Sequence, residues 1–371
     1  MNPYYKKVSK VERGRICLVL SANNKLGDLV IHNFVSQQLE LNNYSVTYGL
    51  SKSFFDRYNN FFQDHSIVND FFVLPANKWQ WLPFIVRLRK EKITAVILDE
   101  RALMGPFFFY LAGVPVIITP KRTRNVFSTQ EYSLDKLSEH YTSYFASLLN
   151  LLRKDVTGKK EHVVAPFFPF KQQDTDGVRT GKGVVLSVHL GGGNYWHRRW
   201  PADRYLALCK LFLQHYNGRV LLVGGKEEYA ENEELKNALA EECNAYGKII
   251  NFCGSDLNTM ANVISSSNVF VGNDSGPLHI ANALNTRVIG IYGPSPIAVF
   301  NPTTYDCRNA TIHADMDCIG CNNFNNICKL AEGKKFSCLT EVTAESVWKK
   351  LRAMLDEEVK EPLSVPSLEN C

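Results

Sequence analysis

Short runs of aliphatic and β-branched residues alternate along the chain with stretches that repeat apolar positions every three or four residues. This alternation is typical of α/β domains built around a parallel sheet. In the first half it predicts strands at Ile16–Leu20, Ser45–Gly49, Asp70–Leu74, Ala95–Leu98 and Pro115–Ile118, and helices over 29–41 and 132–152. In the second half it predicts strands at Gly183–His189, Arg219–Val223, Lys248–Phe252, Asn268–Val271 and Arg287–Tyr292, and helices over Ala202–His215, Glu227–Glu242 and Leu278–Leu284.

The length of the chain favours two domains. Its 371 residues exceed the size of one ordinary hydrophobic core. An aromatic and then polar, glycine-containing stretch at Phe167–Val178 is typical of a linker. We therefore expect domains over 1–172 and 173–356, followed by a polar tail over 357–371. If both domains are doubly wound and face each other, ligands bind between the carboxyl ends of their strands.

The net charge of +5 is distributed unevenly. Residues 1–170 carry 22 Lys and Arg against 14 Asp and Glu, whereas 171–371 carry 20 against 23, so the two parts differ in sign. A basic first half favours an anionic partner such as a phosphorylated glycan or a membrane surface, and a solvated basic face without a partner explains the charge equally well. We expect no nucleic acid partner.

The start of the chain lacks the apolar core of a signal peptide, and the apolar run Gly105–Thr119 is too short and too interrupted by Pro and Gly to span a bilayer. We therefore expect a soluble, cytoplasmic protein. Ten cysteines in such a chain favour free thiols or a metal site over a disulfide framework.

Three loops of the second half directly follow predicted strands and carry candidate ligand-binding groups. In the first, Gly191–Gly193 allow close approach of an anion to the backbone, and Arg198 and Arg199 supply positive charge. A plain turn with surface arginines is the alternative. In the second, Glu227 or Glu228 can accept hydrogen bonds from sugar hydroxyls, or simply stabilise the first turn of a helix.

The third loop, Val271–His279, is the most informative. It leaves a strand and enters a helix, with Asp274 and Ser275 at N-cap positions and Gly276 allowing close backbone approach. The free N–H groups of such a helix start suit a diphosphate. A well-capped helix that carries a satisfied His279 is the alternative.

Candidate groups in the first half also follow predicted strands. Asp28 lies where a helix begins, and its carboxylate can act as a general base or stabilise the helix N-terminus. The strand Pro115–Ile118 is followed by Lys121, Arg122 and Arg124, which can bind anionic groups of an acceptor. A surface cluster without a ligand is an equal alternative for these three.

Four cysteines lie within a Cys-rich segment, 318–338. Cys318, Cys321, Cys328 and Cys338 are spaced C-x2-C-x6-C-x9-C, and the first pair has metal-ligand spacing. Four thiolates suit structural zinc or iron and leave no open position for catalysis. Free thiols, or a disulfide formed on oxidation, are the alternative.

Taken in their order along the chain, these motifs resemble those of glycosyltransferase family 9, the heptosyltransferases of lipopolysaccharide core assembly. Asp274–Leu284 resembles the family's D-[ST]-G-x-x-H motif, and Leu26–Asp28 resembles its N-terminal Gly-Asp. Arg198–Pro201 is similar to the family's Lys-x-Trp-Pro, with Arg198 in place of Lys. The loop Ser21–Gly27 is longer than usual, and the glycine triplet is richer in glycine than the common version.

The resemblance implies a fold and an activity. The fold is α/β of the GT-B type, with two facing Rossmann-like doubly wound domains, the first for the acceptor and the second for a nucleotide-sugar donor. The activity is inverting transfer of a sugar, most simply heptose from ADP-heptose, to a hydroxyl of an anionic lipopolysaccharide-core glycolipid, without a catalytic cofactor. It implies work at the inner face of the bacterial inner membrane, with peripheral membrane contact.

The resemblance also implies roles for individual residues. Asp28 is the base, Glu227 is the carboxylate for donor hydroxyls, and the other donor-site residues are Gly191, Gly192, Arg198, Asp274, Ser275, Gly276 and His279. Another donor sugar, a protein acceptor, and a sugar-nucleotide binder without catalysis remain as alternatives.

Overall fold

The computed structural model describes residues 14–19, 30, 36, 39, 44–56, 70–98, 105–120, 126–132, 168, 170–172, 183–193, 196–302, 308–322, 328, 330 and 335–360. The chain divides into two compact units. The first comprises Met1–Asp135 and Thr142–Val164, and the second comprises Lys136–Tyr141 and Ala165–Cys371. The main segment of the second unit thus begins at Ala165, whereas the sequence analysis places the boundary at 172/173. The assignment of acceptor and donor to the two domains stays a prediction.

The first unit contains a six-stranded sheet whose neighbouring strands are all parallel. In chain order the strands are β1 (Gly14–Val19), β2 (Tyr44–Leu50), β3 (Asp70–Val73), β4 (Ile93–Leu98), β5 (Val116–Pro120) and β6 (Gln130–Tyr132). Two helices of this unit are α1 (Trp81–Lys90) and α2 (Gly105–Leu111). Helix α1 packs Phe84, Ile85 and Leu88 into the core, because these residues recur on one side of the helix.

The second unit contains another six-stranded parallel sheet. Its strands are β7 (Val185–His189), β8 (Arg219–Leu222), β9 (Ile249–Asn251), β10 (Val269–Asn273), β11 (Arg287–Ile291) and β12 (Ala310–Ile312). Its helices are α3 (Ala202–His215), α4 (Tyr229–Glu242), α5 (Leu257–Ser265), α6 (Gly276–Ala283), α7 (Ile297–Phe300), α8 (Ser337–Thr340) and α9 (Ala344–Lys360).

Both sheets have the doubly wound strand order. The first runs β3-β2-β1-β4-β5-β6 and the second β9-β8-β7-β10-β11-β12. In such a sheet the order in which strands are added reverses between the two central strands, and ligands bind beyond the carboxyl ends of these strands. In the second unit these strands are β7 and β10, which end at His189 and Asn273. This edge is where the candidate site lies.

The core of the second unit holds this edge rigidly. Strand β7 is buried along its whole length, as is β10, which is expected for central strands covered on both faces. Trp200, 1% exposed, packs its ring against Tyr205 and donates its indole N–H to the Val342 oxygen at 2.9 Å. The loop after β7 is therefore anchored to the C-terminal part of the unit.

All ten predicted strands are present, with shifts of a few residues at their ends. The short strands β6 and β12 and the helices α1, α2, α5, α7 and α8 were not predicted. Residues 30, 36 and 39 of the predicted helix 29–41 are helical, whereas 133–140 and 141–152 of the other lie outside the described residues. Tyr132, its expected first residue, ends strand β6 instead.

Two further expectations concern the C-terminal tail and the presence of membrane-spanning helices. Helix α9 continues to Lys360, so the predicted tail begins inside this helix, and 361–371 lie outside the described residues. Within the part of the chain that the structure describes, no helix is long and apolar enough to cross a bilayer. The apolar run Gly105–Thr119 forms helix α2 and most of strand β5.

Candidate active site

The carboxyl ends of β7, β8 and β10 bring together the polar groups of three loops. His189 ends β7, Glu228 lies in a 3-10 turn (Lys226–Glu228) after β8, and Asp274 and Ser275 follow β10. Because neighbouring parallel strands end at one edge, loops that are far apart in the sequence become adjacent.

Asp274 is the centre of a buried ion cluster. Nη2 of Arg198 donates to its carboxylate and, at 2.6 Å, to its main-chain oxygen. Nε2 of His279 lies 3.3 Å from Oδ1 of Asp274. Burial alone would raise the pKa of Asp274, but the charge of Arg198 and the hydrogen bonds from His279 and Ser295 hold it well below its usual value. Asp274 is therefore ionised at neutral pH.

Asn273 ties the loop after β7 to the loop after β10. Its side-chain oxygen accepts from the main-chain N–H of Trp200 at 2.9 Å. Its side-chain NH2 group donates to the main-chain oxygens of Leu190 and Gly191, both at 2.9 Å. The residue is fully buried, so an unsatisfied amide here would be costly. Asn273 thus fixes the glycine loop relative to the start of α6.

Ser275 is the N-cap residue of α6, as expected, but its side chain does not cap that helix. The hydroxyl lies 3.0 Å from Nδ1 of His189 and 3.1 Å from the Asn273 oxygen to which it can donate. The Ser275 hydroxyl consequently does not occupy the N–H groups of Gly276 and Leu278, whereas Pro277 between them has none. N–H groups at a helix start are a common binding site for anions. Asp274 was expected at an N-cap position too, but its carboxylate binds Arg198 instead.

His189 connects Ser275 to a carboxylate. Its Nε2 lies 3.2 Å from Oε2 of Glu228, which also accepts the Gly225 N–H at 2.8 Å. The side chains of His189 and Glu228 are 4% and 12% exposed. Burial alone would raise the pKa of Glu228, but the hydrogen bond and charge of His189, the Gly225 N–H and Arg199 together lower it. Glu228 is therefore an ionised acceptor.

Two glycines leave room for this carboxylate. A Cβ on Gly191 would lie 1.5 Å from Oε1 of Glu228 and 2.8 Å from Nε2 of His189. A Cβ on Gly224 would lie 2.2 Å from Oε2 of Glu228. The glycine content of these loops thus has a steric reason within the protein, besides any approach of a ligand.

The neighbouring residues Glu227 and Glu228 have different surroundings in the structure. The resemblance implied Glu227 as the carboxylate for donor hydroxyls, but the exposed Glu227 folds back beside Gly225 while Glu228 reaches His189. This difference follows from the 3-10 turn, since consecutive residues of a helical turn point in different directions. Gly192 is buried next to Gly191, and Gly276 is half-buried as the first residue of α6.

Sequence reasoning placed Arg198, Asp274, Ser275 and His279 in one site, and the structure brings these four together. It assigned no role to His189 or Asn273. A histidine that ends a fully buried central strand could have drawn attention to His189. Asp28, Lys121, Arg122 and Arg124 lie outside the described residues.

The Cys-rich segment packs against the same edge of the sheet. The N–H groups of Gly320 and Asn322 donate to the oxygens of Gly293 and Pro294, at 2.9 and 2.7 Å. Phe336 contacts the rings of Trp196 and His197, beside Arg198. The segment therefore supports both the turn that precedes Ser295 and the turn that ends at Arg198.

The four cysteines of this segment are free thiols. Burial raises the pKa of Cys338 to about 11, and the charges of Cys318, Cys321 and Cys328 add to that shift. The Phe336 N–H lies 3.3 Å from Sγ of Cys328. Among the described residues, no three Cys, His, Asp or Glu side chains are arranged as a metal site.

With this geometry in hand, comparison with known proteins assigns the chain to a family. The sequence profile of glycosyltransferase family 9 (heptosyltransferase) matches residues 81–327, more than half of the chain. The chain belongs to glycosyltransferase family 9. The matched region contains the residues described above at the carboxyl ends of β7, β8 and β10, and the family resemblance inferred from the motifs is confirmed.

One relative in this family is lipooligosaccharide heptosyltransferase 2 of Campylobacter jejuni subsp. jejuni serotype O:6. It is 26% identical over 190 residues, which are 50% of this chain and 56% of the relative. The chain thus spans about half the length of the curated relatives it matches first.

Solved structures share the fold over most of the chain. The Escherichia coli ADP-heptose lipopolysaccharide heptosyltransferase II has a TM-score of 0.70 at 18% identity, covering 93% of this chain and 99% of that one. The iron-containing dodecameric glycosyltransferase TibC of enterotoxigenic E. coli H10407 has a TM-score of 0.54 at 12% identity, covering 93% and 77%. The expected fold class, α/β of the GT-B type with two doubly wound domains, is confirmed.

Proposed function

We propose that this family 9 protein is an inverting glycosyltransferase that moves heptose from ADP-heptose to a hydroxyl of a lipopolysaccharide-core acceptor. The observation that carries the proposal is the cluster of Arg198, Asp274 and Ser275 at the start of α6, beyond the two central strands of the second sheet. Family membership and the activity named for the matched relatives support the same assignment.

The donor diphosphate lies against the start of α6 in this proposal. The N–H groups of an eight-residue helix and the guanidinium of Arg198 offset its charge, and Gly276 allows the backbone to approach it closely. Negative charge on the diphosphate grows as the bond to the sugar breaks, so fixed donors at this point favour the transition state. Asp274 and His279 act indirectly, by holding Arg198 and the helix start in place.

Glu228 is the carboxylate that we assign to donor hydroxyls, in place of Glu227. Oε2 of Glu228 is occupied by Gly225 and His189, whereas Oε1 lies against Gly191, which has no side chain. An ionised carboxylate accepts hydrogen bonds from two neighbouring hydroxyls readily. This geometry supports a role for Glu228 in binding the ribose or the sugar of the donor.

Acceptor binding and the proton transfer belong to the first unit in this proposal. Asp28 takes the proton from the attacking hydroxyl, and direct displacement at the anomeric carbon then inverts its configuration. Lys121, Arg122 and Arg124 hold anionic groups of the acceptor. No metal or organic cofactor takes part in this scheme.

The test is a transfer assay with the full chain. ADP-heptose and a lipopolysaccharide core that lacks its outer heptose are mixed with the protein, and ADP and product mass are followed. We expect release of ADP only when the acceptor is present, and a product heavier by one heptose. Donor binding without acceptor-dependent ADP release would contradict catalysis, and transfer to a polypeptide instead would contradict the glycolipid acceptor.

We propose further that Cys318, Cys321, Cys328 and Cys338 hold a structural zinc or iron ion. The spacing C-x2-C-x6-C-x9-C supports this, as does the iron of the similar TibC protein. The described thiols are not arranged as a site, so in this proposal the metal draws them together. Four thiolates suit either metal. An ion here would brace the loops of Ser295 and Arg198, which this segment contacts.

Metal analysis of the purified full chain tests this assignment. We expect about one zinc or iron per chain, lost in Cys321→Ser and kept in Cys243→Ser, a half-buried cysteine outside the segment. Equal metal content in the two variants would contradict the site.

We also propose that the protein works in the cytoplasm at the inner membrane and meets an anionic lipid surface with α1. This helix buries Phe84 and Ile85 but also exposes Leu82 and Val86, by 71% and 47%. Its last turn carries exposed Arg89 and Lys90. Apolar residues beside basic ones suit the interface of a membrane that contains anionic lipid.

Sedimentation with lipid vesicles tests whether the exposed face of α1 binds an anionic membrane. We expect the full chain to bind phosphatidylglycerol vesicles more than phosphatidylcholine vesicles, and Leu82→Ser with Val86→Ser to remove most of that binding. Tyr246→Ser, at a side chain 72% exposed in the second unit, serves as control. Equal binding by the variant and the control would contradict the assignment, and loss of a dimer in the variant would show that a second copy covers this face.

A further inference from the structure

The hydroxyl of Ser275 has one proton and two protein acceptors within reach. Its oxygen lies 3.0 Å from Nδ1 of His189 and 3.1 Å from the main-chain oxygen of Asn273. A hydroxyl donates one hydrogen bond at a time and accepts through its lone pairs. The proton of Ser275 is therefore directed into the protein unless one of these partners changes.

Glu228 determines which form of His189 is present. Because Glu228 is ionised and can only accept, Nε2 of His189 must carry a proton to bond with it at 3.2 Å. In the neutral imidazole Nδ1 is then bare and accepts from Ser275. In this state Ser275 presents only lone pairs to a group in front of α6.

An anion at the start of α6 favours the opposite direction of the hydrogen bond between Ser275 and His189. Lone pairs of Ser275 would repel a phosphate oxygen, so the hydroxyl must turn and donate to it. Once Ser275 donates to the phosphate, its proton no longer lies between its oxygen and Nδ1 of His189. An unprotonated Nδ1 and the Ser275 oxygen would then face each other as two acceptors. A second proton on His189 resolves this, since Nδ1–H can donate to the Ser275 oxygen.

We propose that His189 is a positioning residue that takes up a proton from solvent when a diphosphate binds at Ser275. The chain of hydrogen bonds then runs in one direction, from the imidazolium to Ser275 and from Ser275 to the phosphate. Glu228 balances the added charge through Nε2. The inference rests on the proposed donor site and deepens it, because it names the device that turns Ser275 into a donor.

The other titratable groups around His189 are either held in ion pairs or uncharged. Arg199, the cation that acts on Glu228, is paired with Glu231. Asp274, on the neighbouring strand end, is paired with Arg198 and His279. The thiol of Cys253 is neutral, because burial and the charges of glutamates that include Glu228 raise its pKa to about 12. Glu228 is the carboxylate that the structure places directly on His189.

Calorimetry of ADP binding to the full chain tests the proposal. Measurements in slightly alkaline buffers of different ionisation enthalpy give the number of protons taken up, while the phosphates of ADP are already ionised. We expect the wild-type chain to take up about one proton more per ADP than His189→Asn, whose amide can donate to Ser275 without protonation. The control His215→Asn, at an exposed histidine of α3, should match the wild type.

Two further variants keep the test decisive if His189→Asn fails to fold. Ser275→Ala removes the intermediary, and Glu228→Gln removes the balancing charge, so each should reduce proton uptake and weaken ADP binding about tenfold. Equal proton uptake by the wild type and all folded variants would overturn the proposal.

The outcome is separable from that of the proposed function. Proton-coupled ADP binding without heptose transfer would contradict the activity and support the role of His189. Heptose transfer with ADP binding that shows no difference in proton uptake would do the reverse. Failure of ADP, GDP and UDP alike to bind would overturn both.

Discussion

Arg198 donates twice to Asp274, once to its carboxylate and once to its main-chain oxygen at 2.6 Å. Both side chains are largely buried, at 13% and 4% exposure. The pair joins the end of the 3-10 turn Trp196–Arg198 to the residue before Ser275. It therefore fixes a cation beside the helix start at which we propose the diphosphate to bind.

Replacing Asp274 with Asn should destabilise the protein at neutral pH. The change removes the negative charge that Asp274 presents to the largely buried Arg198, which costs about 3 kcal/mol in the free energy of unfolding. Urea unfolding measures it. Asp203→Asn, at an exposed side chain in the first turn of α3, is the control and should leave the unfolding midpoint unchanged. An unchanged midpoint for Asp274→Asn would show that the pair contributes nothing.

The same pair predicts a dependence on acid. Because the pKa of Asp274 is lower in the folded chain than its ordinary 3.8, its stabilisation is present above 3.8 and is lost as the pH falls toward the lower, folded value. The difference in unfolding free energy between the wild type and Asp274→Asn should therefore narrow below about pH 4. A difference that stays constant down to the pH of acid unfolding would contradict the assigned shift.

The neighbouring glutamates provide a matched pair. Glu228→Gln removes the charge that faces His189 and should weaken ADP binding and turnover about tenfold or more. Glu227→Gln changes an exposed side chain of the same turn and should alter both by less than about twofold. Steady-state kinetics with ADP-heptose measures this. The reverse order of effects would return the role to Glu227.

Gly191→Ala tests the space around Glu228. The new methyl would lie 1.5 Å from Oε1 of Glu228, so the carboxylate or the loop must move, at a cost of about 1–3 kcal/mol. Gly193→Asn is the matched control, because its Cβ meets nothing within 4 Å and Asn tolerates its φ of +61°. The temperature of thermal unfolding should fall in the first variant and stay near wild type in the second.

Most of the fold could be predicted from the sequence because central parallel strands are continuous apolar runs. The strands that escaped prediction are three residues long, and Gln130–Tyr132 has no apolar run at all. Helix α1 was hidden by its Trp-Leu-Pro start and by apolar residues on two faces, which blur the helical period.

The site was predictable only where its residues are close in the sequence. Asp274, Ser275 and His279 form a single motif. The links from His189 to Glu228 and from Asn273 to Gly191 join residues tens of positions apart, and they exist because β7, β8 and β10 end at one edge. Spacing in the sequence carries no information on which of two consecutive glutamates points inward.

Asp28→Asn tests the proposed base. An amide cannot accept the proton of the acceptor hydroxyl, so turnover should be lost while ADP binding stays close to wild type. Single-turnover assays and calorimetry on the same preparation measure both. Wild-type rates from this variant would contradict the assignment of Asp28.

We propose that this family 9 protein adds one heptose to the lipopolysaccharide core. Mass spectrometry of the core from cells with and without the protein tests it most directly. We predict that the core without the protein lacks one heptose and whatever is attached beyond it, and that the wild-type chain restores the mass but Asp28→Asn does not. An unchanged core in cells without the protein would contradict the claim.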